Sequence, residues 1–215
     1  MSQVVPPLYA ITDVQLSGLS HEQQVALLCA GGATMVQLRE KVLSPHEFCS
    51  QAEQAIRVGH SYNAKILIND RVDIALAVGA DGVHLGQEDL PPEAARKLLG
   101  DRAIIGYSTH NPQQALAALD TPIDYIAVGP IFSTKTKQNP DPEVGLKLLR
   151  EIRGMVGTIP LVAIGGISIE NAGQVFDAGA DSLAFVSWLI SNRIEIEERT
   201  RQFVSTFPNQ VKPQT

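Results

Sequence analysis

Short runs of β-branched and other apolar residues recur along the chain, and longer segments with helical spacing of apolar positions follow them. The runs predicted to be strands cover residues 8–13, 34–40, 65–70, 82–86, 103–108, 125–130, 160–166 and 182–187. Several of them are almost continuously apolar, which is typical of a parallel sheet covered on both faces. We therefore predict an α/β fold, a closed (β/α)₈ TIM barrel. An open doubly wound sheet is the alternative, but no Gly-x-Gly-x-x-Gly follows the first strand.

Helix boundaries are marked by capping residues and prolines. A helix over 44–57 is predicted to begin at Ser44 and Pro45, and another begins at Asn111. The sequence Gly79-Ala80-Asp81 before the fourth strand is echoed by Gly179-Ala180-Asp181 before the eighth. The echo suggests a half-barrel relation, although the turn from helix to strand is enough to impose it.

Composition agrees with one globular unit. The chain has 215 residues, of which 44% are apolar and 19% charged, so we expect a single barrel domain over 1–215 with a frayed tail at about 209–215. The net charge is −6, from 17 basic and 23 acidic residues, which disfavours nucleic acid or anionic membrane as a partner. A local basic pocket for a small anion is still compatible with that total.

The start of the chain carries neither a basic segment nor an apolar segment of the signal-peptide type. The most apolar window, 182–190, is too short to cross a bilayer. Cys29 and Cys49 lack disulfide or metal spacing and are interpreted as reduced thiols. We expect a cytoplasmic protein that binds small molecules, with a homo-oligomer left open.

In a TIM barrel the chemistry lies where the strands end. The second strand ends with Gln37, Arg39 and Lys41 on alternate positions, which predicts a positive local potential suited to a polyanionic substrate. A solvated rim with ordinary ion pairs is the alternative interpretation.

Carboxylates follow the next two strands. Asp70 ends the third strand beside Asn69, and Asp89 follows the fourth, so the pair is our candidate Mg²⁺ site. Alternatively, Asp70 pairs with Arg71 or caps the next helix. Glu88 is the weaker ligand candidate, and His84, within the fourth strand, is left unassigned.

The fifth strand ends in Gly-Tyr-Ser-Thr-His, where Ser108 is a candidate hydrogen-bond donor to substrate and His110 a weaker candidate acid or base. No Gly-x-Ser-x-Gly motif is present, which disfavours a hydrolase triad. The sixth strand is followed by a long loop whose hydroxyls and cations are typical of an anion-binding loop. The paired glycines ending the seventh strand predict a phosphate site made of bare backbone N–H groups.

Seven motifs occur in one order along the chain. They are Leu8-Tyr9-Ala10-Ile11-Thr12-Asp13, Gln37-Leu38-Arg39-Glu40-Lys41, Asn69-Asp70-Arg71, residues 82–89, the Gly-x-Ser-x-His of 106–110, Gly129-Pro130-x-Phe132-x-Thr134-x-Thr136-Lys137, and Ala163-Ile164-Gly165-Gly166-Ile167. Together they closely resemble the thiamine-phosphate synthase family over residues 8 to 190. Trp188 is a departure, since the family leads us to expect a smaller residue there.

The resemblance implies a transferase that joins hydroxymethylpyrimidine diphosphate to a thiazole phosphate, or to its carboxylate form, with Mg²⁺ as cofactor. By position, it implies that the pyrimidine diphosphate is bound by Gln37, Arg39, Lys41, Asn69, Ser108 and Lys137, of which Arg39, Lys41, Ser108 and Lys137 are the expected catalytic residues. It implies Mg²⁺ ligation by Asp70 and Asp89. It implies contacts to the thiazole phosphate from Thr134, Thr136, Gly166, Val186 and Ser187.

Two other functions are retained as alternatives. One is an isomerase like the related thiazole tautomerase, in which His110 would transfer the proton. The other is a barrel that binds a ligand without catalysis. Both are disfavoured because the chain keeps the cations and carboxylates that a diphosphate grip requires.

Overall fold

The computed structural model describes residues 5–134 and 142–208. Within these ranges, eight parallel strands pair in chain order, and β1 pairs with β8 to close the barrel. The strands are β1 Leu8–Asp13, β2 Met35–Arg39, β3 Lys65–Asn69, β4 Gly82–Leu85, β5 Ile104–Thr109, β6 Tyr125–Val128, β7 Leu161–Ile164 and β8 Ser182–Phe185. The predicted (β/α)₈ TIM barrel is confirmed.

Helices on the outside of the barrel connect successive strands, and the last two follow β8. They are α1 Val14–Ser17, α2 His21–Ala30, α3 Pro45–Ser61, α4 Val72–Val78, α5 Pro92–Leu99, α6 Pro112–Ala118, α7 Gly145–Val156, α8 Ile169–Asp177, α9 Ser187–Ile190 and α10 Ile196–Thr206. No helix in the described ranges is long and apolar enough to cross a membrane. Cys29 is buried, which raises the pKa of its thiol to about 11, and Cys49 is also free.

The predicted start of α3 is confirmed, but its predicted end is too early. Ser44 and Glu47 form a reciprocal capping box at the start. The helix continues past residue 57 to Ser61 because Gly59 lies directly against Ile66 of β3, where an added Cβ would come within 2.4 Å of the Ile66 side chain. A glycine that weakens the helical pattern in the sequence therefore permits one more turn of packing.

Several predicted strands extend one or two residues too far at their C-terminal ends. Asp70, placed in the third strand, has φ 61° and turns out of the sheet after Asn69. Gly165 and Gly166, placed in the seventh strand, have φ 102° and 64°. These residues leave the strand pairing because they form the rim of the barrel, where the loops begin.

Two apolar layers stabilise the barrel. The larger layer lies between the outward side of the strands and the helices, and it includes Leu38, Ile68 and Ile126. A smaller cluster fills the barrel interior, with Tyr9 and Tyr125 as its largest side chains. Alternate residues of each strand supply the two layers. Polar side chains that share the interior with the smaller cluster are consequently held on a rigid base.

The echoed Asp81 and Asp181 have a structural role at the other end of the barrel. In three units, an aspartate before an even-numbered strand accepts a hydrogen bond from a backbone N–H of the preceding strand: Asp81 from Ile66 at 2.9 Å, Asp124 from Ile105 at 2.7 Å and Asp181 from Leu161 at 2.9 Å. Each aspartate also binds a basic side chain. The repeated aspartates thus link neighbouring strands at the face opposite the site.

Replacing Asp181 with alanine is expected to lower the free energy of unfolding by about 2 kcal/mol. The change leaves the Leu161 N–H without its side-chain acceptor and removes the 2.6 Å ion pair to Arg153. Thermal unfolding would measure the loss, and Asp177→Ala, an exposed aspartate of the preceding helix, is the control. Equal changes in the two variants would refute a specific role for Asp181.

Candidate active site

A cavity of about 540 Å³ opens at the C-terminal end of the barrel. The candidate residues that line it are Gln37, Arg39, Lys41, Asn69, Asp70, Asp89, Ser108, Thr134, Gly166, Val186 and Ser187. The other two candidates, Thr136 and Lys137, lie outside the described residues. Every described candidate therefore faces the same space, whose volume is in the range of small-molecule sites.

The cationic side of the cavity is built on the end of β2. Arg39 donates to Asp13 at 2.6 Å, and Lys41 binds Asp70. Asp13 is itself held in place as the N-cap of α1, where it accepts the Leu16 N–H. The two cations are thus positioned by carboxylates of neighbouring units, and they are free to exchange part of that contact for an incoming anion.

The loop that carries Lys41 is wrapped around a carboxylate. Glu40 accepts the backbone N–H groups of Lys41, Val42 and Leu43 at 2.6–3.0 Å. Partial burial tends to raise the pKa of Glu40, but these three donors and His21 outweigh it, so the pKa is lowered overall. Glu40 therefore stays ionised and fixes the backbone from which Lys41 reaches the cavity.

Asp70 and Asp89 lie close enough to interact electrostatically. The pKa of Asp89 is raised, chiefly by burial and further by the charge of Asp70, although the Gly86 N–H donates to Asp89 at 2.6 Å and opposes the shift. Arg71 pairs with Asp73 rather than with Asp70, and α4 has no side-chain cap from Asp70. Both alternative roles considered for Asp70 are therefore wrong.

The donor set at this position suits a hard divalent cation. No group of three or more His, Cys, Asp or Glu side chains suited to a metal occurs within 5–134 and 142–208. Two carboxylates alone agree with Mg²⁺, which commonly takes one or two protein carboxylates and completes its shell with phosphate oxygens and water. The repulsion between Asp70 and Asp89 would be relieved by such a cation.

Ser108, His84 and His110 line the cavity close to one another. Ser108 Oγ is 2.8 Å from His84 Nε2, and burial lowers the pKa of His84 to about 4, against the opposing charge of Asp70. His110 lines the cavity, but its Nδ1 is 2.7 Å from the Gly129 carbonyl oxygen, which can only accept. His110 Nδ1 therefore carries the proton at that contact.

The glycine pair after β7 is required by the backbone of a neighbouring loop. A Cβ on Gly165 would be 2.5 Å from the Pro130 side chain, and one on Gly166 would be 2.6 Å from the Ser133 carbonyl oxygen. The loop is further attached by the Phe132 N–H, which donates to the Gly165 carbonyl at 3.0 Å. The glycines thus bring the loops after β6 and β7 together at one side of the cavity.

Trp188 fits the rim without obstructing the fold. Its ring packs against Phe185 at a centroid distance of 5.2 Å and against Phe203 of α10 at 6.4 Å. Arg199 donates to its carbonyl oxygen. The larger side chain expected to be unusual at this position is accommodated because α10 supplies an aromatic surface for it.

The sequence left several residues of the cavity and its base without an assigned role. Tyr9 and His84 line the cavity, and Tyr125 lies beneath them. The Tyr125 hydroxyl oxygen is 2.9 Å from Tyr9 Oη and 2.9 Å from His84 Nδ1. Tyr125 is the first residue of β6, well before the C-terminal strand end at which the candidate residues lie. The inward alternation of β1, which places Tyr9 and Ile11 on the same side, was the available sequence signal.

Comparison with known proteins agrees with this geometry. The family model described as thiamine monophosphate synthase matches residues 8–189. This chain belongs to that family. A thiamine-phosphate synthase of Clostridium novyi is 47% identical over 186 residues, which are 86% of this chain and 91% of that protein.

Two further relatives extend the match. A thiamine-phosphate synthase of Koribacter versatilis is 44% identical over 207 residues, covering 93% of this chain and 95% of that protein. The solved structure of thiamine phosphate pyrophosphorylase from Pyrococcus furiosus superimposes with a TM-score of 0.85 at 34% identity, covering 95% of this chain and 96% of that one. The family relation thus spans the whole barrel, including every described residue of the cavity.

Proposed function

We propose that this chain is a thiamine-phosphate synthase that joins hydroxymethylpyrimidine diphosphate to a thiazole phosphate. The observation that carries the proposal is that Arg39, Lys41, Asp70 and Asp89 all line one cavity. Family membership supplies the reaction, and the cavity supplies a site that suits it. We further propose small-molecule substrates only, a cytoplasmic location and one barrel domain over 1–215.

In the proposed reaction, the carbon–oxygen bond between the pyrimidine methylene and diphosphate breaks, and a bond from the thiazole nitrogen to that methylene forms. The electron-rich aminopyrimidine supports positive charge at the methylene, so diphosphate can leave first. With the carboxylate form of the thiazole, CO₂ is also lost and a proton takes its place. The reaction needs no protein nucleophile.

The residues are assigned by their contacts with this cavity. Arg39 and Lys41 bind the diphosphate and offset the negative charge that develops on it as it leaves. Asp70 and Asp89 would hold Mg²⁺, which when bound adds positive charge beside the diphosphate. Since a water molecule would trap the cationic methylene, exclusion of water by the walls of the cavity is part of the chemistry.

The second substrate is assigned to the opposite rim. We propose that Thr134, Gly166, Val186 and Ser187 contact the thiazole phosphate, and that Gln37, Asn69 and Ser108 contact the pyrimidine diphosphate. All of these line the cavity. Thr136 and Lys137 keep the phosphate and diphosphate contacts that the family resemblance implies.

The decisive experiment is to incubate the purified chain with the pyrimidine diphosphate, the thiazole phosphate and Mg²⁺. We expect equal amounts of thiamine monophosphate and diphosphate, measured by chromatography and mass spectrometry. A parallel incubation with the thiazole carboxylate alone tests for isomerisation through His110. Isomerisation without condensation would refute the proposal in favour of an isomerase, and ligand binding without either reaction would favour a non-catalytic barrel.

A further inference from the structure

A continuous run of hydrogen-bonded side chains passes through the barrel interior from Gln37 to Ser108. Its steps are Gln37 Nε2 to Tyr9 Oη at 2.8 Å, Tyr9 Oη to Tyr125 Oη at 2.9 Å, Tyr125 Oη to His84 Nδ1 at 2.9 Å and His84 Nε2 to Ser108 Oγ at 2.8 Å. Tyr9 and Tyr125 are fully buried, and His84 is 8% exposed. Gln37 and Ser108 are the proposed pyrimidine contacts, so both ends of the run belong to the substrate site.

We infer that Tyr9, Tyr125 and His84 are positioning residues. Together they determine which polar atom of Gln37 and which polar atom of Ser108 face the pyrimidine substrate. The inference deepens the proposed function and rests on it. None of the three residues needs to react. Their effect is exerted through the orientation of hydrogen bonds, which form a network that no single member can change alone.

The donor and acceptor at each step of this hydrogen-bonded run follow from the number of protons on each group. The Gln37 Nε2 group is a donor, so Tyr9 accepts there and its own proton is directed to Tyr125. Tyr125 then donates to His84 Nδ1, which leaves the imidazole proton on Nε2, facing Ser108. Ser108 Oγ accepts the hydrogen bond from this N–H, and its own hydroxyl hydrogen is available to the cavity.

The opposite direction is possible only if the Gln37 amide is reversed. Its oxygen would then accept from Tyr9, Tyr9 would accept from Tyr125, and His84 would donate from Nδ1. Ser108 would have to donate to His84 and would offer only a lone pair to the substrate. The two ends are therefore coupled: Gln37 offering oxygen goes with Ser108 offering hydrogen, and the reverse arrangement exchanges both.

The arrangement in this structure suits an aminopyrimidine diphosphate. The Gln37 amide oxygen is available to accept an amino N–H, and the Ser108 hydroxyl is available to donate to a ring nitrogen or a phosphate oxygen. A site whose polar groups are fixed in advance discriminates strongly against ligands with the wrong donor pattern, because those ligands leave buried groups unpaired. The hydrogen-bonded run in the barrel interior thus sets specificity for the pyrimidine substrate.

The tautomer of His84 tests the direction without any substrate. We expect nitrogen NMR of ¹⁵N-histidine-labelled protein to show the His84 proton on Nε2, with the signal assigned by its loss in His84→Gln. In Gln37→Glu, measured at a pH at which the new side chain is ionised, the carboxylate can only accept, so every bond of the hydrogen-bonded run reverses and the proton moves to Nδ1. The same tautomer in both proteins would overturn the inference.

A double-mutant cycle tests the coupling in catalysis. Gln37→Ala and Ser108→Ala, measured as kcat/KM for the pyrimidine diphosphate, are expected to deviate from multiplicative effects by at least about fivefold when combined. The Tyr125→Phe substitution removes a hydroxyl from the hydrogen-bonded run and so interrupts it. In that background, the effects of the two alanine substitutions are expected to multiply to within about twofold. Equal deviation in both backgrounds would overturn the inference.

Further measurements separate positioning from general damage. Tyr125→Phe is expected to impair kcat/KM for the pyrimidine diphosphate while the KM for the thiazole phosphate stays within about twofold, whereas a loosened barrel would change both. Tyr62→Phe makes the same change at an exposed tyrosine beyond the end of α3 and is the matched control. Tyr9→Phe interrupts the hydrogen-bonded run at a different residue, and it is used in place of Tyr125→Phe if that variant does not fold.

The outcomes distinguish the inference from the proposed function. If the natural protein makes no thiamine monophosphate, the proposed function fails and the specificity role fails with it, whatever the tautomer. If it makes the product but His84 keeps one tautomer in both proteins, the function stands and the positioning role is wrong.

Discussion

Asp70→Asn is expected to lower the rate of thiamine monophosphate formation by about 10²–10³-fold. The substitution keeps the shape of the side chain but removes a charge from the Asp70–Asp89 pair and the charged partner of Lys41. One carboxylate then remains for Mg²⁺, and Lys41 loses the group that positions it. Steady-state kinetics across a Mg²⁺ titration would measure the loss.

The fold is expected to tolerate Asp70→Asn. The Lys41 side chain is 51% exposed, so its ion pair contributes little to stability, and removal of the charge beside Asp89 relieves a repulsion. Unfolding in the absence of Mg²⁺ should therefore occur at an unchanged or slightly higher temperature. Asp73→Asn, which alters an exposed aspartate of α4, is the matched control and should retain full activity.

A binding measurement separates the metal role from loss of the site. Trp188 is the single tryptophan of the chain and lines the cavity, so its fluorescence can report phosphate ligands at that rim. We expect the response to the thiazole phosphate to be the same in Asp70→Asn as in the natural protein. Full activity of Asp70→Asn at every Mg²⁺ concentration would refute the metal assignment.

The barrel and the position of the cavity were predictable because both depend on local patterns. Apolar runs in regular alternation with helical segments define the strand order, and the ends of parallel strands meet at one face. Arg39, Asp70 and Ser108 are each recognisable as polar residues at a strand end, and the structure places all three on one cavity.

The partners of these residues were not predictable, because they depend on packing between distant parts of the chain. Tyr9 and Tyr125 are 116 positions apart, and each resembles an ordinary aromatic core residue in the sequence. Asp13, which ends β1, is similarly paired with Arg39 across 26 positions. Periodicity indicates which residues face inward, but it does not indicate which inward-facing polar groups will come within hydrogen-bond distance.

The overestimated strand lengths have a related cause. Asp70 and Gly166 lie just beyond apolar runs in the sequence, whereas the structure turns both out of the sheet with positive φ angles. A strand pattern describes the side chains and carries no information on where a loop must bend to present a backbone group. The error is therefore concentrated at the residues that form the site.

Gly106→Ala is expected to have the largest effect on stability, lowering the free energy of unfolding by about 3 kcal/mol. An added Cβ would lie 1.9 Å from Cζ of Tyr125 and 2.2 Å from its hydroxyl oxygen. Tyr125 is fully buried and is held by hydrogen bonds to Tyr9 and His84, so the ring has no space into which it can move. Thermal unfolding should show a decrease of roughly 10 °C in Tm.

Two further variants identify the cause of that loss. Gly173→Ala is the control, because this glycine lies within α8 with open space around it, and alanine there is expected to stabilise the protein by about 0.5–1 kcal/mol. Adding Tyr125→Leu to Gly106→Ala should recover part of the stability, since leucine leaves room for the new methyl group. It should not restore activity, since the hydrogen-bonded run from Gln37 to Ser108 stays interrupted. If stability does not recover, the collision with Tyr125 is not the cause. The glycine at the start of the Gly-x-Ser-x-His motif would then be required for its own backbone, and the motif could no longer be explained by the tyrosine that lies beneath it.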